Sequence, residues 1–501
     1  MKSKTLTLIA IAALGALVLP WNLPAQQHHH YKLIDLGTFG GPNSSLATQP
    51  VFPILNNQGM VTGIADSAVP APGCNTPFAT VNPSDCFQTD GFKWEHGALV
   101  KLEPLRGGSN SGGFYINDLG WIMGESDNGQ IDPQTQIPVQ LAVLYPVWGG
   151  VINLGTFGGA FSFGNAINDF GQAVGGALNE TPDPYTSDPY VFGLPGSTQL
   201  HAFLWENGKM HDLKTLGGPD SWALYINDSG QIAGNSLTDS VVNPTTQSPT
   251  MAPFLWENGK MQNIGSLGGL AGGVVGLNNN GQVAGNSDLP GDQDLLGFLW
   301  DHGIMTPIPA LGGTSSIALS LGANGEVVGF GFYPGDQNGD AFVWKSGAIT
   351  DLGRFGNDPC SVASSINIHG QIVGVSTDCA DGERAVLWEN GEPIVDLNTL
   401  IPPNSDLYLH EADYINDNGE ITGTGFLSNG DQHVFLLVPL DDDQAGNLEA
   451  AVPAVIPPTP PRSNASPSDL SKLSPTERAA ALRARVTRMA RRYRNLSALS
   501  N

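Results

Sequence analysis

The chain has 501 residues, 64 of them glycine, and carries 47 Asp and Glu against 21 Lys and Arg, a formal net charge of −26. That balance argues against a body built to hold nucleic acid or anionic lipid, and the glycine content, with many Asn-Gly pairs, favours a chain that turns constantly. The charge is placed unevenly: residues 462–501 hold nine Arg and Lys against Asp469 and Glu477, so the remainder is more acidic than the total.

In chain order, Lys2 and Lys4 precede an uncharged run from Leu6 to Leu19, and Ala25 stands before a polar stretch. A basic n-region, a short h-region and a small residue at a cleavage position make residues 1–25 a predicted signal peptide. The run is too short for a good membrane span. The expected location is therefore secreted, periplasmic or in the cell envelope.

Residues 31–438 are repetitive. One unit runs from Trp222 to Asn227, through Asp228-Ser-Gly-Gln-Ile-Ala-Gly234, to Phe254-Leu-Trp256 and then Glu257-Asn-Gly-Lys-Met-Gln-Asn-Ile264. Its first turn glycine recurs as Gly59, Gly120, Gly171, Gly230, Gly281, Gly325, Gly370 and Gly419, roughly every 50 residues, the period of a propeller blade. Each unit supplies four short strands. The third carries an aromatic (Trp94, Trp148, Trp205, Trp256, Trp300, Trp344, Trp388) that reads as a side chain wedged between neighbouring blades.

The strand count at the two ends sets the architecture. Fourth-strand segments begin at Lys32 to Leu36, before any third strand, whereas the last third-strand segment, Val434 to Val438, has no fourth strand after it. The predicted fold is all-β: an eight-bladed β-propeller of four-stranded antiparallel blades, with Tyr31 to Leu36 completing the last blade and removing the exposed edge. Seven blades plus a degenerate unit is the alternative, because the first unit, Ile54-Leu-Asn-Asn-Gln-Gly59, is imperfect.

The segments His201-Ala-Phe203-Leu-Trp205, Asn207-Gly208 and Asp212-Leu213, the Leu154-Gly-Thr-Phe-Gly-Gly159 linker and the Ile-Asn-Asp-x-Gly-Gln box resemble the HAF-repeat family of extracellular bacterial proteins. The resemblance spans about residues 31 to 438. It departs at Leu321-Gly-Ala-Asn-Gly325, which lacks the Asn, and at Val434 to Leu437, which lacks the Trp. It implies export and a repetitive β architecture, with no catalytic residues to carry over.

Between second and third strands the connections are long in the first four units and short in the last four. Insertions on one face of a rigid repeat scaffold often make a binding surface. Phe78, Phe87, Tyr185 and Tyr190 fall there and are the candidate ligand-facing aromatics; loops that merely cover the propeller are the structural alternative. Cys74 with Cys86 and Cys360 with Cys379 are expected as local disulfides, zinc being the weaker reading. Asp336, Asn338 and Asp340 alternate like the start of a calcium loop but lack the downstream Glu of an EF-hand. No other cofactor is indicated.

Past 438 the repeat stops. Residues 439–473 read as an acidic, then proline-rich linker. Residues 474–496 are expected to form a basic amphipathic helix opened by a Ser474-Pro-Thr-Glu477 capping box, with Arg483, Arg488 and Arg492 on its surface. That helix is expected to contact the acidic propeller or an anionic surface. No nucleophile elbow or metal-protease motif occurs. The functional expectation is a non-catalytic extracellular or envelope module that binds a glycan, peptide or envelope component and no nucleic acid, using the long loops of blades one to four. A glycan- or peptide-cleaving propeller enzyme is the alternative.

Overall fold

The computed structural model describes residues 29–46, 53–70, 87–134, 136–183, 198–242, 249–292, 294–336, 338–377, 383–389 and 391–440. They form eight four-stranded sheets, all antiparallel. Seven are consecutive meanders, and the eighth joins Leu407–Ile415, Ile421–Leu427 and Gln432–Pro439 to the N-terminal strand Tyr31–Asp35. Tyr31 stands opposite Pro439 and Asp35 opposite Phe435. The ring is closed by the strand that the sequence left unpaired.

From blade two to blade eight the first strand of each blade neighbours the first strand of the next, which places these strands innermost. First-to-second and third-to-fourth turns therefore share one face of the disc, and second-to-third connections share the other. Seven of the eight first turns are built around the box Asn, blade six having Gly322 in its place. The Asn of the box, for example Asn227, accepts the N–H groups of Ser229 and Gln231 on Oδ1 at 3.1 and 3.0 Å. The following glycine closes the turn at positive φ, 75° at Gly230, where a side chain would be strained.

The glycine of the second strand has a different reason. Phe203 pairs with Gly175 and Phe254 with Gly234, and a Cβ on either glycine would meet the phenylalanine ring at 2.8 or 2.7 Å. The ring lies across its neighbour's backbone and is fully buried, as are Phe92, Phe298, Phe342 and Phe435. Buried apolar clusters join adjacent blades: one unites Ala166, Val174 and Leu204 of blade three with Ala223, Ile226 and Phe254 of blade four.

Polar stitches also cross the blade boundaries. The N–H before the buried aromatic or aliphatic donates to a serine on the next inner strand at Gly91–Ser111, Ala142–Ser162, Ala202–Ser221, Gly297–Ser316, Ala341–Ser361 and Val434–Ser44, at 2.9 to 3.1 Å. In blade four the donor position is Pro253, which has no N–H, and the serine is replaced by Gly272, whose Cβ would stand 3.1 Å from the proline ring. Donor and acceptor vanish together, so no buried hydroxyl is stranded.

Three expectations need correction. Trp148 is not on the third strand of blade two; Tyr145 holds that register opposite Ile122, and Trp148 lies in the next turn, 71% exposed. The helical tail is not part of the fold: the only helical element among the described residues is the turn Leu397–Thr399, and residues 474–496, with Arg483, Arg488 and Arg492, lie outside them. The partners assigned to that helix fall with it. Nor is there a sulfur–sulfur pair among the described residues. Cys74, Cys86 and Cys379 lie outside them, and Cys360 alone is described, buried and without a free thiol.

Candidate functional site

The face that carries the second-to-third connections is uneven. The second strands of blades one to three, Val61–Pro70, Ile122–Ile131 and Ala173–Pro182, each run ten residues, whereas those of blades four to seven, beginning at Ile232, Val283, Val327 and Ile372, run six. All three long strands share one irregularity. Register passes from Asp66–Thr89 to Pro70–Phe87, from Asp127–Gln140 to Ile131–Pro138, and from Leu178–Leu200 to Pro182–Thr198, so four residues on one side span two on the other. Four extra residues at about 3.3 Å each add roughly 13 Å of strand to each hairpin.

The hairpins are anchored at their bases. Asp127, buried, accepts the N–H groups of Ser109, Asn110 and Gly129 at 3.0, 2.6 and 3.0 Å, tying the hairpin of blade two to its own entry loop. Val69 and Ile131 stand exposed near the tips, and Val241 and Val242 are exposed on the connection of blade four. Phe87 begins the third strand of blade one and is half-buried. Phe78, Tyr185 and Tyr190 lie outside the described residues.

Each of the three candidate calcium donors has a hydrogen-bond partner of its own. Asp336 accepts from the Thr314 N–H at 2.8 Å, anchoring the entry loop of its blade as Asp127 does. The Asn338 carbonyl accepts from the Tyr333 N–H. Asp340, buried, accepts from the Tyr333 hydroxyl at 2.9 Å and from Arg354 Nε at 3.0 Å. Among the described residues, no group of three or more His, Cys, Asp or Glu is placed to hold a metal.

The opposite face carries a feature that sequence reasoning missed. The box asparagines form a ring around the axis, each donating from Nδ2 to the backbone carbonyl one blade on: Asn56 to Asn117, Asn117 to Asn168, Asn168 to Asn227, Asn227 to Asn278, Asn367 to Asn416, and Asn416 to Asn56, at 2.9 to 3.0 Å. Asn278 reaches Gly322 at 3.3 Å, and Gly322 has no side chain to continue the ring. The next residue makes a second ring. Asp118 accepts from the Asn57 N–H, Asp169 from the Asp118 N–H and Asp228 from the Asp169 N–H, at 2.9 to 3.4 Å. Burial raises the Asp169 pKa, and the neighbouring Asp118 and Asp228 charges raise it further. The same carboxylates act on Tyr115, whose hydroxyl is raised first by burial and then by Tyr414 and the three aspartates.

Glu125, on the second strand of blade two, retains some surface, yet burial alone pushes its carboxyl up to about 8. A carboxylic acid held in that range suits proton donation.

No known family's sequence model matches the chain, and no curated protein matches it. Among solved structures it is similar to the β-propeller domain of the Trilobed protease from Pyrococcus furiosus, at 9% identity over 71% of this chain and 95% of that one, with a TM-score of 0.42. It is similar also to puromycin hydrolase (12%, 82% and 63%, 0.38) and to dipeptidyl peptidase 4 of Porphyromonas gingivalis (9%, 69% and 52%, 0.37). The chain spans less than two thirds of the last two. At these identities and scores the likenesses bear on neither activity nor substrate.

Proposed function

We propose that the chain is an exported, non-catalytic binding or structural module of the cell envelope or exterior, whose ligand-holding face is built by the extended connections of its first four blades. The observation that carries this reading is the trio of ten-residue second strands on consecutive blades, each with the same register irregularity. Strand extension beyond what the disc needs adds surface without adding core, and the anchoring of Asp127 makes that surface rigid. Export rests on the leader at residues 1–25, and the likeness to HAF repeats points the same way. A cleaving enzyme remains the competing reading, with Glu125 as its best acid.

The test replaces the hairpins of blades one to three with the six-residue second strands and short turns of blades five to seven. Intact protein is expected to bind members of a polysaccharide and peptide array saturably, and the shortened protein to lose that binding with its denaturation midpoint unchanged. Undiminished binding would remove the hairpin face from the account, and release of product from any array member would favour the enzyme.

A further inference from the structure

Beyond the hairpin face, we propose that the opposite face, over blades two and three, is a docking surface for a polypeptide segment in which arginine or lysine alternates with apolar side chains. Trp148 and Phe170, 71% and 74% exposed, are the only exposed tryptophan and phenylalanine among the described residues, and both lie in turns of this face. Leu119 and Val147 are exposed beside them. Leu119, Val147 and Trp148 come from the two turns of blade two, and Phe170 from the first turn of blade three. Trp148 packs edge-on against Trp121 at 4.8 Å, Val147 borders the turn at Gly120, and the Asp169 carboxylate, next to Phe170, accepts the N–H of Asp118, next to Leu119, at 3.1 Å. Exposed aromatics gathered in one sector, next to buried ones, mark a contact surface better than scattered single residues do.

Charge selects the partner. Asp118, Asp169 and Asp228 line the axial side of this patch in consecutive blades, and the groups that perturb Asp169 are carboxylates and backbone, with no cation among them. The same turn positions in blades five to seven are neutral: Asn279, Ala323 and Ile368. Acid and exposed aromatic therefore coincide on one side of the ring and are separate elsewhere. A guanidinium can lie over Trp148 or Phe170 while hydrogen-bonding a carboxylate, and the apolar residues between the cations would cover Leu119 and Val147. Anionic lipid and nucleic acid are repelled by the same carboxylates.

The probe is a fluorescent ten-residue peptide of alternating Arg and Leu, titrated into full-length protein and followed by anisotropy, with a Glu-Leu peptide and spermidine as comparisons. Saturable binding of the Arg-Leu peptide is expected. Trp148→Ser and Phe170→Ser should each weaken it about tenfold or more, as loss of an aromatic anchor does, and Asp169→Asn should reduce its salt dependence. Ile304→Ser, exposed on the same face at blade five, should leave it unchanged. Shortening the hairpins of the other face should also leave it unchanged, which separates failure here from failure of the proposed function. Equal binding of spermidine or of the acidic peptide, or insensitivity to both aromatic substitutions, would overturn the proposal.

Discussion

Replacing Asn416 by alanine tests how the ring is held shut, because Asn416 joins the last blade to the first across a gap the backbone does not bridge there. Its Nδ2 donates to the Asn56 carbonyl at 2.9 Å and to Glu420 Oε2 at 2.6 Å, and its Oδ1 accepts the Asn418 and Glu420 N–H groups at 3.0 and 2.9 Å. The residue is 3% exposed. A typical hydrogen bond contributes about 1 kcal/mol net, and a stranded buried partner costs about 1–3 kcal/mol. Water can re-solvate the exposed turn amides, so the loss should be about 3 kcal/mol, concentrated on the Asn56 carbonyl. Asn278→Ala is the comparison, since its between-blade bonds are longer, 3.3 and 3.4 Å, and its neighbours are joined by continuous chain; about 2 kcal/mol is expected there. Urea denaturation gives the two losses, and amide hydrogen exchange locates them. Asn416→Ala should accelerate exchange at Tyr31–Asp35, and Asn278→Ala should not. Equal losses, or unaltered exchange in that strand, would refute the view that the asparagine ring secures closure.

Other outcomes follow from particular side chains. With the Glu125 pKa raised to about 8, folding favours the protonated form, so wild-type protein should lose stability as pH rises from the ordinary carboxylate range through 8. Glu125→Gln should match wild type at low pH and exceed it at high pH in urea midpoints; parallel profiles would place the carboxyl in ordinary surroundings. Asp212 behaves oppositely. Burial pushes its carboxyl up, but hydrogen bonds from His201 and Lys214 outweigh that and hold it at about 2, so its contribution is present at neutral pH and is lost as pH falls through about 2. Asp212→Asn should flatten the acid limb of the stability profile, and an unchanged limb would contradict the assignment. In blades three, four, five and seven a Gln donates to an acidic residue after the third-strand Trp, as Gln172 does to Glu206, while in blade six the pair is reversed to Glu326 with Lys345. Lys345→Glu alone should destabilise by about 1 kcal/mol, and adding Glu326→Gln should restore the loss in a double-mutant cycle; additive effects would deny the pairing.

Much of this fold was legible because the repeat made the sequence its own alignment. The N-terminal strand could be placed beside Val434 to Val438 by counting alone, and the count needed no knowledge of side-chain contacts. The position of Trp148 was misjudged for an instructive reason. Tyr145 fills the wedge that Trp fills in six of the other blades, and the nearest Trp lies three residues on, in the turn. The asparagine ring is hidden in the sequence because turn chemistry, through the residue's own Oδ1, already accounts for an Asn before x-x-Gly. The signal that could have shown more is that seven of eight units keep Asn where Asp or Ser would also cap a turn; only an amide also donates to the next blade. Of the candidate ligand-facing aromatics, Phe87 alone lies among the described residues. The acidic and aromatic surface over blades two and three escaped notice because Asp118, Asp169, Leu119 and Phe170 come together across blades, at separations that no local motif reveals.

The central functional claim is that the hairpin face holds a ligand without changing it. The direct measurement is to take a ligand that the intact protein binds on the array, incubate it with the protein to equilibrium, and determine both its affinity and its mass afterwards. The account predicts saturable binding that disappears when the hairpins of blades one to three are shortened, with the ligand recovered at its starting mass. A ligand recovered in fragments, or bound as tightly by the shortened protein, would contradict it.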